Sequence, residues 1–198
     1  MGLAMEKIGE VIEASTSVFI AEAYELHGSP PFGSLVKTPH EDGFIIGLVY
    51  DASTASIDPG RRVLARGRHL ATEEDILRQH PQLAKLLRTQ FSALVVGQEA
   101  QSQWRHHLPP QPAQVHRFVY RCQPQEVQAF TQRLDFLHLL LHTGLSATAD
   151  ELVAACLRQA AETHPDGRSF LIQAGKELAR LLYHDPSRLN AILLRLRP

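Results

Sequence analysis

The stretch Ser34 to Tyr50, SLVKTPHEDGFIIGLVY, decides the fold. Ser34 to Thr38 and Phe44 to Tyr50 are two strand-like segments, and the segment between them ends in Asp42-Gly43, a dipeptide suited to the positive φ angles of a hairpin turn. The pair is expected to form a hairpin. Working outward, Val18, Ile20 and Glu22 alternate with Phe19, Ala21 and Ala23, although small residues on both sides leave open which face is wet. Pro59-Gly60 marks a turn, Phe91 to Val96 is a short apolar strand closed by Gly97, and Val115 to Cys122 alternates again. The chain from about Ile8 to Cys122 therefore reads as strands. Strands this short must hide their edges, and closure into a small barrel does so.

Between the strands lies a helical insertion near residues 72–90. Thr72 can cap a helix through Ile76 and Leu77, and Pro81 suits a first helical turn before Leu83, Leu86 and Leu87. The insertion is either a docking arm or a crossover that covers a barrel end, the commoner arrangement. Trp104 to Gln114, rich in Pro and Gln, reads as a surface loop.

After Pro124 the hydrophobic period changes from two to about 3.6. Val127, Phe130, Leu134, Leu137 and Leu141 form one stripe of a long helix whose second half is apolar all round. Thr148 with Glu151 makes a capping box before Leu152, Val153, Cys156, Leu157 and Ala160. Gly167 to Tyr183 gives another helix, and Asp185-Pro186 starts a last one carrying Leu189, Ile192, Leu193 and Leu196. The expected fold class is α+β: an antiparallel β-barrel of about six strands over residues 1–122, followed by an α-helical bundle of about four helices over 123–198.

The composition is that of a globular chain: 198 residues, 44% hydrophobic and 21% charged. A formal net charge of −1 gives no long-range field toward a polyanion, so nucleic-acid binding would need a local basic patch. Two distant cysteines, Cys122 and Cys156, fit a reducing cytoplasm as small buried groups. The first residues lack an apolar signal region, the apolar run near Phe136 is broken by His138 and His142, and no membrane span is expected.

Gly28 and Gly33, in HGSPPFGSLVK, stand at the glycine spacing of a phosphate-binding P-loop. Ser34 occupies the lysine position and Leu35 the position of the Mg²⁺-binding hydroxyl, so the phosphate chemistry is missing. The segment reads instead as a turn into a strand, stiffened by Pro30 and Pro31.

GEVIEASTSVFIAEAYE, FGSLVKT, GFIIGLVYDAS and FSALVVG, over roughly residues 7–122, resemble the HAS barrel, the small β-barrel that opens HerA-type DNA-translocating ATPases and ATP synthase subunits. The resemblance rests on Gly9, Ser15-Thr16, Gly33, Leu35-Val36 and Gly47. It implies a barrel that packs against copies or cousins of itself in a ring and serves assembly. In those ATPases a nucleotide-binding domain follows the barrel, whereas helices follow it here.

Three constellations bear on chemistry. Asp135, His138 and His142 lie at i, i+3 and i+7 of the expected helix, within about 60° of arc, where they can share a divalent metal. Without the Glu of H-E-x-x-H, such histidines more often simply pack. His106, His107 and His116 form a second cluster, expected as solvated loop residues. Arg61, Arg62, Arg66 and Arg68 follow the Pro-Gly turn and are interaction candidates, for phosphates or, as the stronger reading, for the acids Glu73, Glu74 and Asp75 or those of a partner. No nucleophile motif occurs, and no catalytic residue, cofactor or ATP site is assigned. The expectation is a non-catalytic assembly or adaptor protein that uses its barrel for a protein partner, an ATPase ring among the candidates, or for self-association. The alternatives are a nucleic-acid-binding module using the arginine loop and a metal-dependent hydrolase.

Overall fold

The computed structural model describes residues 5–41, 43–58, 60, 63–144 and 149–196. Its first half is a closed, six-stranded antiparallel β-barrel. The strands are β1 (Lys7–Ala14), β2 (Val18–Ala23), β3 (Leu35–His40), β4 (Gly43–Ser56), β5 (Leu87–Ala100), β6 (Gln103–Arg105) and β7 (Phe118–Arg121). They run in the order β2-β1-β7-β3-β4-β5, and pairing of β2 with β5 closes the ring. β6 continues the sheet along the last residues of β5. The β3–β4 hairpin expected at Ser34–Tyr50 is present, with Leu35 opposite Leu48 and His40 opposite Gly43. Asp42 lies outside the described residues. Register shifts at Val11/Glu13, Ile46/Gly47 and Val49/Asp51 let so narrow a sheet curve shut.

The barrel has no lumen at its middle. Val11, Phe19, Ala21, Val36, Ile45, Val49, Phe91, Ala93, Val95 and Val119 fill it. This is the size at which side chains alone occupy the interior. Gly47 makes room there, since a Cβ at that position would stand 2.6 Å from the Phe19 ring. On β2 the inward face is Phe19, Ala21 and Ala23, which settles the face the sequence left open.

β3, β4 and β5 form a wall buried on both sides. Leu35, Ile46, Leu48, Leu94 and Val96 point out of the barrel into a second core, shared with Phe130, Phe136, Leu137, Leu152 and Leu157 of the helical half. That half comprises α2 (Pro124–Thr131), α3 (Leu137–Leu141), α4 (Ala149–Thr163), α5 (Gly167–Leu181) and α6 (Pro186–Arg195); α1 (Glu73–Gln79) belongs to the insertion. α4 contacts each of the other four, which is why Leu152 to Leu157 are nearly all buried. Asp166 and Asp185 cap α5 and α6 by accepting from the backbone N–H groups of Ser169 and Arg188 at 3.0 and 2.9 Å. Thr148, the expected cap of α4, lies outside the described residues.

One buried ion pair ties the halves together. Lys37 on β3 donates to Glu126 Oε1 and lies 4.6 Å above the Phe44 ring, while Glu126 Oε2 accepts the Gln123 N–H at 2.9 Å and so caps α2. Gly33 supplies a second junction. It has φ +84°, and a Cβ there would meet the Cβ of Ala155 on α4 at 2.7 Å. The glycine of the P-loop-like spacing thus lets the turn press against a helix.

Three expectations are corrected. The single long helix over Val127 to Leu141 is two helices, α2 and α3, joined through residues 132–136. On one straight helix Phe130 and Phe136 would project about 120° apart. The break brings both into one core, with ring centroids 5.1 Å apart. Leu86 and Leu87, expected in the inserted helix, instead lead into β5, because Leu87 pairs with Ser56 in a ribbon that runs on beyond the barrel. Trp104 to Gln114 is also less uniformly a surface loop than expected: Trp104 and Arg105 are in β6, and Ala113 enters the barrel core. Among the described residues no helix is long and apolar enough to cross a membrane.

Gly33→Ala is expected to cost about 1–3 kcal/mol through backbone strain and overpacking against α4. Urea unfolding measures it, and an unchanged midpoint would contradict this role for Gly33.

Candidate interaction surface

The β4–β5 ribbon loses β3 after Leu48 and β2 beyond Gln90, and Asp51–Ala55 on it are exposed. At its far end the chain makes an arm from Ile57 to Leu86, containing α1 and a 3-10 turn at Pro81–Lys85. Local bonds shape it: Ile57 N–H donates to Leu86 O at 2.9 Å, Gly60 N–H to Asp58 Oδ1 at 2.9 Å, and Asp75 N–H to the capping Thr72 Oγ1 at 3.3 Å. Gly67 lets the loop approach α1, where a Cβ would meet Ile76 Cδ1 at 2.8 Å. α1 packs mainly on the 3-10 turn, and that turn on the start of β5.

The arm exposes apolar side chains. Ile57 is 49% exposed, Val63 60%, Leu64 68% and Leu86 47%, and they line a cleft of about 800 Å³ whose edge carries Arg66 and Lys85. Of the four arginines singled out in the sequence, Arg66 and Arg68 are exposed and Arg61 and Arg62 lie outside the described residues. The expected pairing with the following acids is not made by Arg66 or Arg68: Asp75 takes Arg78 at 2.9 Å, and neither arginine enters an ion pair among the described residues.

The structure separates the residues proposed for a metal. Asp135 stands in the turn before α3, where its carboxylate holds Arg133 at 2.8 Å and faces His106 Nδ1 at 3.5 Å. His138 and His142 stack with ring centroids 4.4 Å apart, and His142 Nδ1 lies 2.9 Å from the His138 carbonyl. The helix break removes the common face that the spacing implied. Among the described residues no three His, Cys, Asp or Glu side chains gather as a metal site. The two stacked rings instead flank an open cleft of about 460 Å³ with Tyr50, Leu94 and Leu108.

The second histidine group also divides. His107 and His116 are exposed, and His116 Nδ1 meets Glu10 Oε1 at 2.6 Å. His106 is not a solvated loop residue. Its side chain is 6% exposed, its Nε2 donates to Phe130 O at 3.0 Å, and its ring edges onto Phe130 and Phe136. Burial lowers its pKa from the usual 6.5, against a smaller opposing effect of Asp135. His164, stacked 4.1 Å from Phe170, is lowered by burial too. Burial pushes the Cys156 thiol to about 12 and Cys122 higher still, so neither is a nucleophile at neutral pH.

Ile57, Val63 and Leu64 escaped the sequence reading, which passed from the Pro-Gly turn to the arginines. Their signal is an apolar group in a segment without period. Comparison with protein-family models and with curated proteins finds no match to this chain.

His106 and His164 give stability a definite pH dependence. Below pH 6.5 the unfolded chain takes up protons that the buried rings in the folded chain resist, so stability falls as pH drops below that value and levels only once the folded rings titrate. Urea unfolding across this range should show the decline, and His106→Gln with His164→Gln should flatten it. An unchanged slope in the double variant would contradict this origin.

Proposed function

We propose that this is a non-catalytic assembly or adaptor protein, in which a solid barrel braced by a helical bundle around α4 carries the arm as its docking element. The observation that supports this best is the exposed apolar cleft of Ile57, Val63, Leu64 and Leu86 beside Arg66 and Lys85. Clustered exposed apolar residues with a charged rim mark interaction surfaces. The cations select the partner: an amphipathic segment whose apolar face enters the cleft and whose acidic residues meet Arg66, Arg68 and Lys85. The filled barrel supports a mount in preference to a container. The resemblance to HAS barrels points to a partner that bears such a barrel, an ATPase ring or a second copy of this chain. Two buried free thiols agree with a cytoplasmic setting.

Chemical cross-linking of the chain with its purified partner, or with itself in light-scattering runs at several protein and salt concentrations, tests the reading. Leu64→Asp and Arg66→Glu are exposed changes expected to weaken association by about tenfold or more without lowering thermal stability. Cross-links should join the arm to acidic segments. A strict monomer, cross-links that avoid the arm, or association unaffected by either change would overturn the proposal. Salt-dependent binding to DNA or RNA, lost on substitution of Arg66 and Arg68, would favour the nucleic-acid alternative.

A further inference from the structure

A second site lies in the barrel itself, at the end beside the β3–β4 turn. Partners across antiparallel strands project from one face. Thr38 pairs with Ile45 and Ile45 with Gln98, which sets Thr38 and Gln98 on the inward face of Ile45. His40 follows on that face two residues later, and Arg105 pairs with Gln98 from β6. Above the apolar filling, the barrel interior thus ends in a polar layer.

This layer is incompletely satisfied. Thr38 is 0% exposed, Gln98 6% and His40 8%, and neither Thr38 Oγ1 nor His40 Nε2 has a hydrogen-bond partner among the described residues. Buried polar atoms are nearly always partnered, so an unpartnered His40 Nε2 beside a cavity implies something that supplies the bond. Beside His40 is a cavity of about 380 Å³, lined by His40, Gln98, Arg105, His107, Glu41 and Glu99 among others.

The lining selects a chemistry. Arg105 and the Gln98 amide are donors that suit a carboxylate. Glu41 and Glu99 repel a polyanion and suit an ammonium group. His107 Nδ1 lies 3.0 Å from Leu108 O and donates to it. A phosphate or a dicarboxylate would meet the two glutamates, and a simple amine would meet Arg105. A small molecule with one charge of each sign meets neither objection. We propose that this cavity binds a zwitterion of amino-acid or dipeptide size, its carboxylate on Arg105 and Gln98, its ammonium on Glu41, and its remaining polar atoms on His40. The site is independent of the docking arm.

Calorimetric titration of the full chain with the standard amino acids and their dipeptides, alongside imidazole NMR, tests this. Phosphate, succinate, and the N-acetylated and amidated forms serve as comparison probes. At least one free amino acid or dipeptide should bind saturably and shift the His40 resonances. Blocking either of its ends, or Arg105→Ala or Glu41→Gln, both exposed positions whose variants are checked for unchanged thermal stability, should weaken it by about tenfold or more. The proposal is overturned if no zwitterion binds at millimolar concentration, if phosphate or succinate binds as well, if both variants bind unchanged, or if a crystal structure grown with the probes shows only water against His40.

Discussion

The structure depends on one wall, β3, β4 and β5, being apolar on both faces. Inward residues such as Val36, Ile45, Val49 and Val95 close the barrel core, and their outward neighbours Leu35, Ile46, Leu48 and Val96 carry the helices. Removing either layer would strand the other half of the wall in water at about 25 cal/mol per Å² of apolar surface. Barrel and helices therefore stabilise one another. Lys37 and Glu126 add direction to that non-directional contact, since a buried ammonium tolerates few positions for its carboxylate, and this one also caps α2.

A barrel filled to its axis and braced on one side is stiff, so adaptability belongs to what leaves it. The ribbon after Tyr50 has no helical layer behind it, and its exposed residues end in an arm whose contacts are largely its own. The exposed apolar cleft on this arm is what the docking proposal rests on. The polar layer at the barrel end differs in kind, because its buried polar groups lie within the barrel. An apolar cleft on the arm and a smaller cavity edged by charged residues at the barrel end are thus carried by one chain.

Much of this frame was legible in the chain. The strand half, the hairpin at Ser34–Tyr50 and the change of period at Pro124 follow from alternation and turn chemistry. The break between α2 and α3 was not legible, because Val127, Phe130, Leu134, Leu137 and Leu141 keep a helical period across it; the competing demand that Phe130 and Phe136 meet over His106 is tertiary. For the same reason Asp135, His138 and His142 looked like a set of three, whereas only the two histidines meet and Asp135 faces Arg133 and His106. The Lys37–Glu126 pair and the unpartnered Thr38 and His40 depend on contacts between distant strands and helices, which spacing along the chain does not encode. The arm's cleft was hidden differently: apolar residues without a period carry no secondary-structure signal, and only their exposure in the fold marks them.

Native-state hydrogen exchange followed residue by residue tests most directly whether barrel and helices are one cooperative body bearing a separate arm. The shared wall requires the amides of Ile45 to Val49, Phe91 to Val96 and Leu152 to Leu157 to open together at the free energy of global unfolding, while α1 and the 3-10 turn exchange far faster. A helical half that opens well before the barrel, or an arm as protected as the wall, would contradict the account.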